Sequence, residues 1–132
     1  MNRRVAFPSA LRCSFAALLL AAAPANRAPE DVWTGIDRVV AIGDVHGDCD
    51  QLVALLRSAG LIDAQEKWCG GKTHLVQTGD LLDRGPDSRR AMDLLMRLEG
   101  EAISAGGELH LLIGNHEAMN LYGDLRYVSA GE

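Results

Sequence analysis

The chain has 132 residues, 48% of them hydrophobic and 23% charged, and its mean hydropathy is +0.00. That composition excludes a disordered or fibrous chain and suits one small domain with its own core. A net charge of −5 at pH 7 argues against nonspecific nucleic-acid binding, so no nucleic-acid partner is expected.

The first segment, MNRRVAFPSALRCSFAALLLAAAPANRA, carries Arg3 and Arg4, then an apolar stretch from Cys13 to Ala23. Ala23-Pro24-Ala25 fits the small-x-small cleavage pattern of a secretory signal. The apolar run is shorter than the roughly 20 residues a membrane span needs. Residues 1–25 therefore read as a signal peptide. The mature chain is expected to be periplasmic or secreted, with no stable membrane association after cleavage. Cleavage removes Arg3, Arg4 and Arg12 and no acids, so 10 of the 13 basic residues face 18 acids, a net charge of −8. Bound cations would neutralise part of that acidity. Residues 26–37 read as a polar lead-in, with Trp33 packing on the core.

RVVAIG, Arg38 to Gly43, reads as a strand apolar on both faces, as in parallel sheets covered by helices. Residues 50–60 follow as a helix. Leu52, Leu55, Leu56 and Ala59 form its stripe and Gly60 its stop. Thr73 to Gly79 is the second strand. Pro86 and Asp87 open a second helix whose stripe is Ala91, Leu94, Leu95, Leu98 and Ala102. Glu108 to Gly114 is the third strand, and HEAMNLYG a short third helix closed by Gly123. The order β-α-β-α-β-α implies an α/β fold with a parallel sheet and right-handed crossovers. Cys49 and Cys69 fall at opposite ends of one βαβ unit, too far apart to bridge, and read as unpaired thiols.

Gly-rich turns follow all three strands: GDVHGD, GDLLDRGPD and GNHE. In parallel sheets ligands gather beyond the carboxyl ends of the strands. The turns should therefore bring together Asp44, His46, Asp48, Asp80, Asp83, Arg84, Asn115, His116 and Glu117. Asp44 and His46 stand two apart, so an extended segment points both the same way. Asp80 opens the second turn as Asp44 opens the first, and its two oxygens can bridge two ions. Asn115 adds a neutral oxygen. Mixed oxygen and imidazole donors suit a hard or borderline divalent metal, manganese first, with iron or zinc as alternatives. Acids and a histidine buried beside a strand are expected because metal would offset their desolvation. Two such ions would hold and activate a hydroxide between them.

Other residues have plainer readings. Asp48 and Asp87 read as helix caps, and Glu117 as a first-turn acid serving the helix dipole. His74 and His110 lie within strands and read as structural. Met92, Met96 and Met119 read as core fillers, and Arg89 and Arg90 as a solvated helix face.

GDVHG (43–47), GDLLDRG (79–85) and GNHE (114–117) resemble the signature of the phosphoprotein phosphatases, a branch of the calcineurin-like metallophosphoesterases. GGKTHLVQTGDLLDRGPDSR and GNHEAMNLYGDLRYVSAGE look most like the Shewanella-like protein phosphatases. The resemblance covers residues 38–132. It implies the N-terminal half of the family's αββα sandwich, built on a parallel βαβαβα unit. It implies a metal-dependent phosphoric monoester hydrolase, serine/threonine- or tyrosine-protein phosphatase-like, with a dinuclear centre and a bridging hydroxide. Asp44 and His46 would hold the first metal, Asp80 would bridge, and Asn115 would hold the second. His116 would be the general acid, oriented by Asp83, and Arg84, with Asn115, would bind the substrate phosphate. A phosphoprotein or phosphopeptide would be the substrate, with a tilt toward phosphotyrosine.

The family's pattern continues beyond residue 132 with two further metal-binding histidines, a second phosphate-clamping arginine and a second sheet. The chain is therefore expected to be the front part of a larger phosphatase. By itself it should be poorly stable and inactive, with one sheet face uncovered. Two other readings are diadenosine tetraphosphate hydrolysis, which uses the same three motifs, and a non-catalytic metal- or phosphate-binding fragment.

Overall fold

Three short strands alternate with three helices, and the strands pair side by side in chain order. The computed structural model describes residues 32–130. The signal peptide read at 1–25 lies outside them. The elements are β1 (Val39–Ile42), α1 (Cys49–Ser58), β2 (His74–Gln77), α2 (Ser88–Ser104), β3 (Glu108–Leu111) and α3 (Asn115–Leu121). The sheet order is β1-β2-β3, and both pairings are parallel. In register, Val39 faces His74 and His74 faces Glu108. The order and direction of elements read from the sequence stand.

The helices bury one face of this sheet. α2 packs on β3 and α1 on α2. Leu75 and Leu109 point into that layer and meet Ala91, Leu94, Leu95, Leu98 and Ala102 of α2, the whole stripe read from its spacing. α1 differs from expectation. It buries Leu52, Val53 and Leu56, while Leu55 is 49% exposed. Residues advance about 100° per position around a helix. The arc centred between Leu52 and Val53 faces inward, which turns Leu55 to the flank. Gly60 ends the helix with φ +66°, and its N–H donates to the Arg57 carbonyl at 2.9 Å.

β1 corrects a second expectation. A strand covered on both faces was expected, yet Val39 and Ala41 are exposed and only Val40 and Ile42 pack inward. Among the described residues no helix lies on the other face. Trp33 packs there, edge-on to His110, and not on the core. Met96 is 65% exposed on α2, so it does not fill the core, Met92 is half-buried, and Met119 is buried. Cys49 is buried and Cys69 exposed, both free. Burial pushes the Cys49 thiol up, and the nearby Arg90 only partly offsets this. Arg89 pairs with Asp93 and Arg90 with Asp50 on the solvated side of α2.

Glu101 fastens the long α1–β2 connection to α2. Its carboxylate accepts the Trp68 backbone N–H at 2.8 Å and bonds from Arg97 (2.7 Å) and Lys67 (3.2 Å). The Trp68 N–H bond is the largest single cause that, with Arg97 and Lys67, brings its pKa from 4.5 to about 2. A carboxyl depressed in the folded state stabilises the fold above pH 4.5 and loses that contribution as pH falls toward 2. Glu101→Gln should lower the melting temperature at neutral pH and flatten its decline between those two values. Thermal melts across the acid range read this directly.

Candidate active site

Parallel strands end at the same edge, so the turns after β1, β2 and β3 meet there. The first two are joined backbone to backbone. The Val45 and His46 N–H groups both donate to the Asp80 carbonyl at 3.0 Å, Gly47 N–H to Leu81 at 2.9 Å, and Gly85 N–H to His46 at 2.9 Å. This contact leaves no room for side chains. Gly47 has φ +67°, and a Cβ there would stand 2.7 Å from the Gly85 carbonyl oxygen. A Cβ on Gly79, φ +99°, would collide with the Gly114 backbone of the third turn.

Glu117 ties the second turn to the third. Its carboxylate accepts four backbone N–H groups: Asp80 (2.7 Å), Leu81 (2.8 Å), Leu82 (3.1 Å) and Gly114 (2.8 Å). Burial alone would raise its pKa, but the four N–H donors outweigh burial and hold it below the usual carboxylate range. The sequence reading assigned this acid only to the helix dipole. Its position three residues after Gly114 is the spacing of a capping acid, which was the available signal. The three bonds to residues 80–82 span 35 to 37 positions and have no local signature.

Below the turns sits a buried pair. His116 Nδ1 donates to Asp83 Oδ2 at 2.7 Å, and the two residues are 2% and 1% exposed. Asn120, one turn further along α3, donates its amide to both Asp83 oxygens at 3.0 and 3.1 Å and to the His116 carbonyl at 3.0 Å. The Asp83 N–H donates to Ser88 Oγ at 3.1 Å. Asn120 and Ser88 were not singled out in the sequence. Spacing places Asn120 one helical turn from His116, but only the fold shows Asp83 beneath them. Arg84 donates to His116 Nε2 at 3.2 Å. Its own N–H donates to the Tyr127 carbonyl at 2.9 Å, and the Tyr127 ring lies 5.2 Å from the His116 ring.

His46 faces this pair, its ring 4.7 Å from that of His116. His46 Nδ1 lies 3.1 Å from the Leu82 carbonyl, which can only accept, so Nδ1 carries the proton and Nε2 presents a lone pair. That Nε2 is 3.6 Å from Asp44 Oδ2. Donor atoms of His46, Asp80 and His116 lie within 4.8 Å of one another. Asp80 also accepts the His116 N–H at 2.9 Å. Asn115, the first residue of α3, is exposed; its amide nitrogen lies 4.0 Å from Met119 Sδ. A lone pair oriented by a carbonyl behind the ring, with two carboxylates beside it, is a donor set that fits a divalent cation.

The burial expected at this edge is only partly found. The Asp44 side chain is 65% exposed and that of His46 16%. The groups sealed from solvent at this edge are Asp83 and His116, which hydrogen-bond to each other. Asp48 caps α1 as read, accepting the Gln51 N–H at 3.0 Å. Asp87 holds the cap position of α2 without a side-chain cap bond.

Backbone strain gathers at the same edge. His46, Asp80, Asp83 and Arg84 have φ of 51°, 54°, 70° and 66°, four of the five non-glycine residues with positive φ among those described. Each costs on the order of 1–3 kcal/mol and persists only where surrounding bonds over-determine it. Glu117→Gln keeps the side chain's shape but removes the charge that four N–H groups share. It should lower unfolding stability by about 2–3 kcal/mol, since hydrogen bonds to charged groups are among the strongest. The deficit should be largest above the ordinary glutamate range and shrink as acid protonates the wild-type carboxylate. Chemical denaturation at several pH values measures it.

Residues 37–131 match the family described as calcineurin-like phosphoesterase. Shewanella-like protein phosphatase 2 of Arabidopsis thaliana is 47% identical over 93 residues, covering 70% of this chain and 24% of the relative. The symmetrical bis(5'-nucleosyl)-tetraphosphatase of Escherichia coli is 40% identical over 76 residues, 58% of this chain and 22% of the relative. A crystal structure of the cold-active protein-tyrosine phosphatase of a psychrophilic Shewanella species superposes with TM-score 0.71 at 47% identity. It covers 73% of this chain and 29% of that one. The chain thus spans about a quarter of the length of the relatives it matches. With its three strand-end turns joined at one edge and this match along most of its length, the chain belongs to the calcineurin-like phosphoesterase family.

Proposed function

We propose that the chain supplies the first metal site and the proton-transfer group of a phosphoric monoester hydrolase acting on phosphoproteins or phosphopeptides. The observation that carries this reading is the buried Asp83–His116 pair at 2.7 Å, with Arg84 on the far nitrogen of the same ring. A buried imidazole braced by a carboxylate suits proton transfer, and a guanidinium beside it suits a phosphoryl oxygen.

Asp44, His46 and Asp80 would hold one divalent ion, and Asp80 with Asn115 would contribute to a second; manganese is preferred, with iron or zinc as alternatives. When bound, such ions supply positive charge to the phosphoryl group and make water a better nucleophile. The chain's own residues do the rest. Arg84 donates to His116 Nε2 in the resting arrangement, so that nitrogen holds a lone pair there. Turning Arg84 onto an incoming phosphate frees the Nε2 lone pair to take up a proton from solvent water. His116 can then pass that proton to the departing oxygen, while Asp83 keeps Nδ1–H in place. Asn120 holds Asp83 against rotation through its two amide bonds. Proton donation and phosphate binding thereby become coupled through one guanidinium.

The names of the Arabidopsis relative and of the Shewanella structure support a protein substrate, and the latter favours phosphotyrosine. The Escherichia coli relative keeps dinucleoside tetraphosphate hydrolysis as a weaker second reading. The apolar leader supports export to the periplasm or secretion.

The full-length gene product should hydrolyse phosphotyrosine peptides with Mn²⁺ faster than phosphoserine peptides or diadenosine tetraphosphate. His116→Ala should lower kcat by about 10²–10⁴-fold with little change in KM. Faster tetraphosphate cleavage would sink the substrate assignment. A His116→Ala enzyme of unchanged kcat would sink the role of the histidine. In addition, N-terminal sequencing of the exported protein should begin at Asn26; a start at Met1 in that fraction contradicts the leader.

A further inference from the structure

The open face of the sheet carries a second group of ligating side chains, at the end away from the turns. His74 begins β2 and Glu108 begins β3, paired in register, and His110 stands two residues beyond Glu108 on the same face. Donor atoms of all three lie within 4.8 Å of one another. His74 Nδ1 and His110 Nε2 are 2.9 Å apart. Glu108 Oε2 accepts the Trp33 indole N–H at 3.0 Å, which orients the carboxylate and leaves its other oxygen available. The Trp33 ring stands edge-on to His110, 4.4 Å between centroids. Among the described residues an open cavity of about 390 Å³, walled by Ile36, Val39, Val76 and Leu112, adjoins the group. Six positions of extended chain, up to about 20 Å, separate His74 from Asp80, so this group is distinct from the turn site.

The geometry points to a second divalent-cation site formed by His74, Glu108 and His110, taking a borderline ion of the Zn²⁺ class. Two imidazole nitrogens 2.9 Å apart cannot both present bare lone pairs; something positive sits between them, a proton or a metal. Tetrahedral zinc with bonds of 2.0–2.1 Å sets its nitrogens about 3.3 Å apart, so replacing the proton needs only a small opening. Two imidazoles and one carboxylate favour zinc, nickel or copper over magnesium or calcium. Strand backbones hold all three ligands, and Trp33 supplies the outer hydrogen bond that metal-binding carboxylates commonly receive. A metal here would clamp the lead-in around Trp33 to β2 and β3.

The test uses the full-length protein with the turn site disabled by His46→Asn and Asp80→Asn. Zn²⁺ titration against a chromophoric chelator should still find one equivalent per chain. Glu108→Gln, at a half-buried position, should weaken it at least tenfold, and His74→Asn with His110→Asn should abolish it while far-ultraviolet dichroism stays unchanged. In a background where every tryptophan other than Trp33 is replaced by phenylalanine, Ni²⁺ should quench the remaining fluorescence, and His110→Asn should remove that quenching. Zinc stoichiometry and affinity unmoved by Glu108→Gln, or nickel quenching that survives His110→Asn, would overturn the site.

Discussion

Everything at the strand-end edge depends on one carboxylate. Glu117 gathers the N–H groups of Asp80, Leu81, Leu82 and Gly114, donors from two turns that share no other side-chain acceptor among the described residues. Backbone N–H groups left unpaired in a half-buried turn are costly. Satisfying four with a single charge holds the second turn in its left-handed course at Asp80 and seats α3 against it. His116 then arrives one residue before Glu117 in the same helix, where its N–H meets Asp80 and its ring meets Asp83. Remove the charge and the Asp83–His116 pair loses its foundation, although Glu117 itself touches neither ring.

The site is built from strain and contact together. Left-handed backbone at His46, Asp80, Asp83 and Arg84 turns four candidate site side chains into a small volume that ordinary turns would splay apart. The backbone bonds between the first two turns, and the glycines that permit them, oppose the relaxation of that strain. Arg84 shows the outcome. Its backbone is fixed by the Tyr127 carbonyl, while its guanidinium lies on the His116 ring and, in the proposed reaction, would leave it for a phosphate.

The two faces of the sheet obey different constraints. Leucines of α1 and α2 seal one face. The other carries Trp33, His74, Glu108 and His110 beside exposed Val39 and Leu112. Polar side chains on that surface satisfy one another: the indole N–H takes the carboxylate, and the imidazoles share a bond. The histidines that read as structural in the strands are thus the centre of a polar cluster on the sheet face.

Much of this molecule was legible in the linear chain. The repeated strand–glycine–acid pattern announced a parallel α/β unit, and the α2 spacing named its buried apolar stripe. The three turns named the residues that converge, because parallel strands must finish at one edge. Where reading failed, the reason was rotational or long-range. Leu55 and Met96 sit at apolar spacing, yet which arc of a helix faces inward depends on its neighbours. The acids expected to be buried proved to be an exposed Asp44 and a sealed Asp83, since depth beneath a turn has no sequence period. Glu117 and Asn120 act on residues more than thirty positions away, and the donors they satisfy are defined only once the turns touch. Sequence by itself determined the elements, their order and the chemistry gathered at one edge, since periodicity and glycine placement are local properties of the chain. Only the tertiary structure decided which groups are buried, which proton sits on which ring nitrogen and which carboxylate holds the turns, because those follow from contacts between segments that meet only in the fold.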